Sequence, residues 1–147
     1  MIELIATVTI TASSVVLFAY WFRYTCLLIL SAKTARDYAA DVAFANGLGF
    51  QQVQAALEAN SPDLDRLRTS LDADYRVVRG LLKKAGEGSS ALETQMLAIN
   101  YALMGSWYQV SRHFSGNVAA RTLSEMSMVV AHFANLMGEQ AAAGAAA

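Results

Sequence analysis

Residues 4–22 read LIATVTITASSVVLFAYWF, 19 positions without a formal charge. Coiled into a helix, this stretch spans roughly 28 Å, close to the hydrocarbon thickness of a bilayer. It closes on Tyr20-Trp21-Phe22-Arg23-Tyr24. Rings with polar tips followed by a cation suit the headgroup layer, so these five residues are read as the membrane interface. A second frame, residues 12–30, is equally rich in Leu, Ile, Val and Phe. It places Arg23 near the bilayer centre, at a cost of about 2.5–3.5 kcal/mol. The first frame carries Thr7, Thr9 and Thr11 instead, which is cheaper, and leaves Leu27–Leu30 at the interface or against a partner.

The flanks give an orientation. Glu3 precedes the span, whereas Arg23, Lys33 and Arg36 follow it. The positive-inside rule then puts the N-terminus outside and the remainder in the cytoplasm. Met1-Ile2-Glu3 has no positive n-region and no small-x-small site follows the apolar run, so residues 1–30 are expected to stay as a signal anchor. Ile2-Glu3-Leu4-Ile5 starts like a type IV pilin, but the β-rich head of that family is not visible.

The whole composition agrees with an anchor. The chain has 147 residues, 55% hydrophobic and 16% charged, against about 25% charged in soluble domains. Eleven basic and 12 acidic side chains nearly cancel. Without a basic excess, the counterion release that drives nucleic-acid binding is weak, and no nucleic-acid partner is expected. The basic positions between Arg66 and Lys84 are interleaved with acids, as on a solvated face. One cysteine, Cys26, excludes an intrachain disulfide. With one proline, Pro62, the chain favours long helices.

Beyond the span, Ala32, Ala35, Ala39 and Val42 recur at helical spacing and predict that the first helix continues. Gly47 then suits a helix C-cap. Phe50, Val53 and Leu57 mark a short helix ending by Asn60. Ser61 is expected to cap the next, with Pro62 at its first position. Leu64, Leu67, Leu71, Tyr75, Val78 and Leu82 form a bundle seam, with Asp72 and Arg76 as an i,i+4 pair. Gly86–Ser89 is a turn, and Ser90 with Glu93 a capping box. The following helix carries Leu92, Met96, Ile99, Leu103, Trp107, Val110 and Phe114. Gly116-Asn117 interrupts it, and the last helix carries Ala119, Leu123, Met126, Val130, Phe133 and Met137. The expected fold is all-α: one N-terminal transmembrane helix, then a small bundle of about four helices over 31–140, then a low-complexity Ala/Gly tail, 141–147.

Thr94–Ser111 holds 18 residues without a charge, on a helix that should be polar on its outer side. A central, buried helix is one explanation; a protein interface is another; a second span is opposed by Gln95, Asn100, Ser106 and Gln109. Met96, Met104, Trp107, Tyr108 and Met128 are the expected partner interface, methionine being adaptable at such surfaces. His113 and His132, the only histidines, are the candidates for a haem, pigment or metal ligand. No CxxCH and no second ligand at i+3 or i+4 accompanies either, so neither metal nor cofactor is expected. Arg121 and Glu125 read as an i,i+4 pair on an exposed edge, and Cys26 as a packing residue, since no local histidine activates it. No P-loop, dinucleotide fingerprint, GxSxG or HExxH occurs.

The run Tyr20–Cys26 followed by Ala35-Arg36-Asp37-Tyr38 resembles uncharacterised single-pass bacterial inner-membrane proteins, over the first third of the chain. That resemblance implies an anchor and a helical domain, and carries over no functional residue. The expected role is a non-enzymatic, membrane-anchored accessory or structural subunit docked on a larger membrane assembly. The alternatives are a self-associating scaffold or signalling module, paired through Leu64–Leu82, and a pigment- or haem-binding protein.

Overall fold

The computed structural model of the chain describes residues 1–32, 34, 36–86 and 91–146. It divides into two compact units, Met1–Ala32 and Lys33–Ala147. All the regular structure among the described residues is helical: α1 (Ile2–Ser31), α2 (Ala39–Asn46), α3 (Phe50–Leu57), α4 (Leu64–Ala85), α5 (Ala91–Ser111) and α6 (Gly116–Ala146).

The first unit is α1 alone. Its 30 residues extend about 45 Å, half again the hydrocarbon thickness, so it contains both frames considered above. Apolar side chains point out on every side: Leu4, Ile10, Val16, Leu17 and Phe18 are each about two-thirds exposed. A helix apolar all round is made for a lipid-like or fully buried surrounding. Its hydroxyls are turned back on their own backbone. Thr7, Thr9 and Ser13 donate to Glu3, Ile5 and Thr9 carbonyl oxygens at 2.8 Å. Each such bond hides a polar group that hydrocarbon would penalise.

α1 does not run on toward Val42. Ala32 is extended (φ −62°, ψ 127°), and α2 begins at Ala39, where the Asp37 carboxylate accepts from the Ala39 N–H at 2.9 Å. Ala32 and Ala39 therefore share no helical stripe, and Ala35 lies outside the described residues. Gly47 does end α2, at φ 64°, ψ 35°, the left-handed cap that glycine adopts without strain.

In the second unit α6 is the central element, and α2, α3, α4 and α5 all pack on it. Its seam Ala119, Leu123, Met126, Val130 and Phe133 is fully buried. The helix continues through the alanine-rich end to Ala146, as high helix propensity favours. In the α4 seam Leu71, Val78 and Leu82 are buried and Leu64, Leu67 and Tyr75 half-buried.

Three local expectations are corrected. Asp63, not Ser61, caps α4, its carboxylate accepting from the Arg66 N–H at 3.2 Å; Ser61 instead takes φ 61°, and Pro62 lies before the cap. Asp72 turns to Arg68 rather than Arg76, at 2.9 Å. The break between α5 and α6 falls at 112–115, so Gly116 opens α6 rather than interrupting a helix. The capping box of Ser90 with Glu93 lies outside the described residues, as does most of the turn at 86–89.

Candidate interaction surface

α5 is held against α4 by a ladder of polar contacts. The two helices run antiparallel, and three rungs share one register. Asp65 accepts from the Tyr108 hydroxyl at 2.9 Å and from Arg112 Nη1 at 2.7 Å. Arg68 donates through Nη1 to the Gly105 carbonyl at 3.2 Å, and its guanidinium sits 5.6 Å from the Tyr108 ring centre. Asp72 accepts from the Tyr101 hydroxyl at 2.8 Å. The Tyr101 ring stacks flat on Tyr75, 3.9 Å between centroids. Asp65 and Asp72 are one heptad apart, as are Tyr108 and Tyr101, which is why both bonds form together.

The electrostatics follow from these contacts. The Tyr108 and Arg112 donors hold the Asp65 carboxyl below its usual range. Burial, then the Asp65 carboxylate, pushes Tyr108 up to about 12. Burial and Asp72 push Tyr101 higher still. Both phenols therefore stay protonated and act as donors.

The ladder decides which way α5 faces. Thr94, Leu97, Tyr101, Met104, Gly105, Tyr108 and Ser111 point inward. The other apolar series points outward: Leu92 is 70% exposed, Ile99 47%, Leu103 50%, Trp107 51%, Val110 49% and Phe114 83%. Phe114 stands on a last, tighter turn, its N–H bonded to the Ser111 carbonyl at 3.0 Å. Of the five residues expected at a partner interface, Trp107 and Met128 are exposed and Met96 is half-buried. Met104 and Tyr108 are core residues, 9% and 1% exposed. The Asp65 bond and the Arg68 guanidinium hold Tyr108 on the inward side.

The remaining candidates are dispersed. On α1, Tyr20, Trp21 and Tyr24 are exposed, and Phe22 and Arg23 are half-buried. Tyr20 stacks on Tyr24 and Phe18 on Phe22, with centroids 6.4 and 6.5 Å apart. Cys26 is buried and forms no disulfide. His113 is exposed in the turn after α5, while His132 sits half-buried on α6. Burial pushes His132 below its ordinary value, so it is neutral near pH 7. Among the described residues no three His, Cys, Asp or Glu side chains gather as a metal site requires. The chain matches no known protein family, no curated protein and no solved structure.

The outward stripe was visible in the sequence as a helical series, but its direction was not. The signal that would have found it lies in the second series on the same helix, Leu97, Tyr101, Met104 and Tyr108, whose phenols need acids on a neighbouring helix.

Proposed function

We propose that this chain is a membrane-anchored, non-enzymatic assembly subunit, with α1 in a bilayer and the helical domain acting through protein contact on the outer face of α5. One observation carries the reading: α5 presents Leu92, Ile99, Leu103, Trp107 and Val110 to solvent while its opposite side is already packed. Continuous apolar patches of this kind on small domains mark interaction sites. A large aromatic such as Trp107 is a usual anchor of such a site.

The anchor part rests on the length of α1 and its apolar surface on every side. The charge bias of Arg23, Lys33 and Arg36 over Glu3 favours a cytoplasmic domain and an outside N-terminus. The resemblance of Tyr20–Cys26 and Ala35-Arg36-Asp37-Tyr38 to bacterial single-pass proteins favours the inner membrane.

Two measurements test this. Membranes bearing the full chain are washed with alkaline carbonate and pelleted, and a gently solubilised portion is run on a blue-native gel. The chain is expected in the pellet and in a complex larger than its own 15.8 kDa. Full recovery in the supernatant, or migration as a bare monomer, would remove the reading.

A further inference from the structure

The polar contacts of α4 divide its charges by sign. Asp63 caps the helix, accepting from the Arg66 N–H. Asp65 accepts from Tyr108 and Arg112, Asp72 from Arg68 and Tyr101, and Asp74 from the Gly49 N–H. Every acid between Asn60 and Ala85 is therefore engaged. The cations of the C-terminal half are not. Arg76, Lys83 and Lys84 are exposed and Arg79 is half-buried. Among the described residues none of the four forms an ion pair. No acid stands between Asp74 and Glu87 in the sequence. Interleaved signs in the sequence become separated signs in the fold, with acids spent inside the bundle and cations left outside.

Basic side chains in a last turn also complement the helix dipole, which accounts for Lys83 and Lys84. Arg76 and Arg79 stand before that turn and are not explained by it. Arg76, Arg79 and Lys83 recur at steps of three and four, one row along the helix. Beside the row, nothing stands within 4 Å of the place a Cβ at Gly80 would take.

The row lies at the end of the domain where the chain comes in from α1. α5 is antiparallel to α4 and turns back into α6 at 112–115, so α4 and α6 run the same way. The Tyr75 ring is 6.0 Å from that of Phe133, which sets Arg76–Lys84 beside the part of α6 that follows Phe133. That part holds the entering chain, through Asn135 and the Tyr38 N–H. Arg36 sits over the Tyr38 ring at 5.2 Å and adds a cation at this end. Glu93 and Glu139, the acids of α5 and α6 here, lie toward His132. Residues 32–38 separate α1 from α2, and a stretch of that length reaches at most about 25 Å.

We infer that the outer side of α4 from Arg76 to Lys84 docks on the anionic phospholipid headgroups of the leaflet that α1 enters. The inference rests on the anchor proposed above and concerns a different surface from the α5 face. Cations held beside a membrane are drawn to acidic lipid, and the attraction fades within a Debye length. A free polyanion fits less well. The chain carries a net charge of −1, so it exerts no long-range pull, and a small basic row acts only on a surface already kept next to it.

The test uses the full chain reconstituted in vesicles, with Cys26→Ala removing the native thiol and Gly80→Cys carrying a fluorophore. A quencher is attached to headgroups in both leaflets. Quenching is expected to be stronger in vesicles containing phosphatidylglycerol than in phosphatidylcholine alone. That gain is expected to be lost when Arg76→Gln, Lys83→Gln and Lys84→Gln are combined, with the far-ultraviolet helical signal unchanged. It is also expected to be lost without any change to the row at about 1 M salt, where the Debye length is about 3 Å. Equal quenching in both kinds of vesicle, with the chain in the carbonate pellet, would overturn the inference and leave the anchor intact. So would a row variant that keeps its quenching but sheds a protein neighbour on a blue-native gel, the occupant then being an acidic protein. Recovery of the chain in the supernatant would overturn both.

Discussion

Arg68 fills the space that a side chain at Gly105 would need. A Cβ built on Gly105 would lie 2.7 Å from Arg68 Nη2, and the guanidinium is held there by Asp72 at 2.9 Å and the Gly105 carbonyl at 3.2 Å. The tip of an arginine is ordinarily free to swing aside. Here two bonds fix it, so the glycine serves close approach rather than chain flexibility.

The pairing predicts a change of sign. Gly105→Ala alone gains about 1 kcal/mol of helix propensity but displaces Arg68 from a half-buried charge-assisted network, worth about 1.5–3 kcal/mol. The net expectation is destabilisation by about 1 kcal/mol. In an Arg68→Ala background the obstacle is gone, and the same substitution is expected to stabilise by about 0.5–1 kcal/mol. Urea unfolding of the four members of the cycle measures the coupling. Equal effects in both backgrounds would show that Arg68 does not dictate the residue at 105.

The acid and alkaline limits of stability follow from the same ladder. The Asp65 pKa is held below 3.8 by its Tyr108 and Arg112 donors. A depressed carboxyl adds stability above its unfolded value, and that stability is lost as pH falls through the folded value. Thermal unfolding is therefore expected to weaken below about pH 4, and less so in Asp65→Asn. The Tyr108 phenol is raised from 10.0 to about 12. A raised phenol adds stability below its unfolded value and loses it as pH rises through the folded one. Wild type is thus expected to lose stability between about pH 10 and 12, and Tyr108→Phe to lose less over that interval. An identical alkaline profile in Tyr108→Phe would sink the assignment.

How far the fold could be read from sequence depended on what kind of signal each element carried. α1 was legible because an uncharged run ending in rings and a cation has few other uses. The α4 and α6 seams were legible because each of those helices has one apolar side and one charged or smaller side. α5 was not, because it carries two apolar series on opposite sides. Residue size favours the series with Trp107 and Phe114 as the core. What selects the other is a pair of tyrosine hydroxyls bonded to Asp65 and Asp72, 43 and 29 residues away, contacts that periodicity cannot carry. The end of α1 was missed for a related reason. Alanine spacing permits a helix through 32–42, while the extended backbone at Ala32 and the Asp37 bond to Ala39 are set locally.

Asp74 behaves oppositely to Asp65. Its carboxylate on α4 accepts from the Gly49 N–H at 2.8 Å, at the start of α3. It satisfies a donor that α3 itself leaves open, yet burial pushes its pKa above 3.8. A carboxyl raised in this way stabilises the fold fully below its unfolded value and loses that contribution as pH rises through the folded value. Asp74→Asn keeps an acceptor for Gly49 and removes the buried charge. It is expected to raise the melting temperature near pH 7 and to have little effect near pH 3. Asp74→Ala leaves the Gly49 N–H unpaired and is expected to destabilise by about 1–3 kcal/mol at either pH. A lower melting point for Asp74→Asn at pH 7 would mean that the charge itself holds α3.

The segment before α2 is fastened to α6 at two adjoining points. Asn135 Oδ1 accepts from the Tyr38 N–H at 2.6 Å, and a Cβ at Gly138 would collide with the Tyr38 Cβ. The obstacle is the root of a side chain rather than its tip, so relief requires the backbone of residues 36–38 to move. Gly138→Ala is therefore expected to cost about 1–3 kcal/mol, despite the better propensity of alanine, and to break the Asn135 bond as the strand of chain lifts away. Asn135→Ala removes only the acceptor and is expected to cost about 1–2 kcal/mol. Because one displacement accounts for both losses, the double substitution should cost less than the two singly added. Hydrogen exchange at the Tyr38 amide reports it directly: faster exchange in Gly138→Ala than in wild type is the expected result, and unchanged protection would show that the contact is not what secures α2 to the bundle.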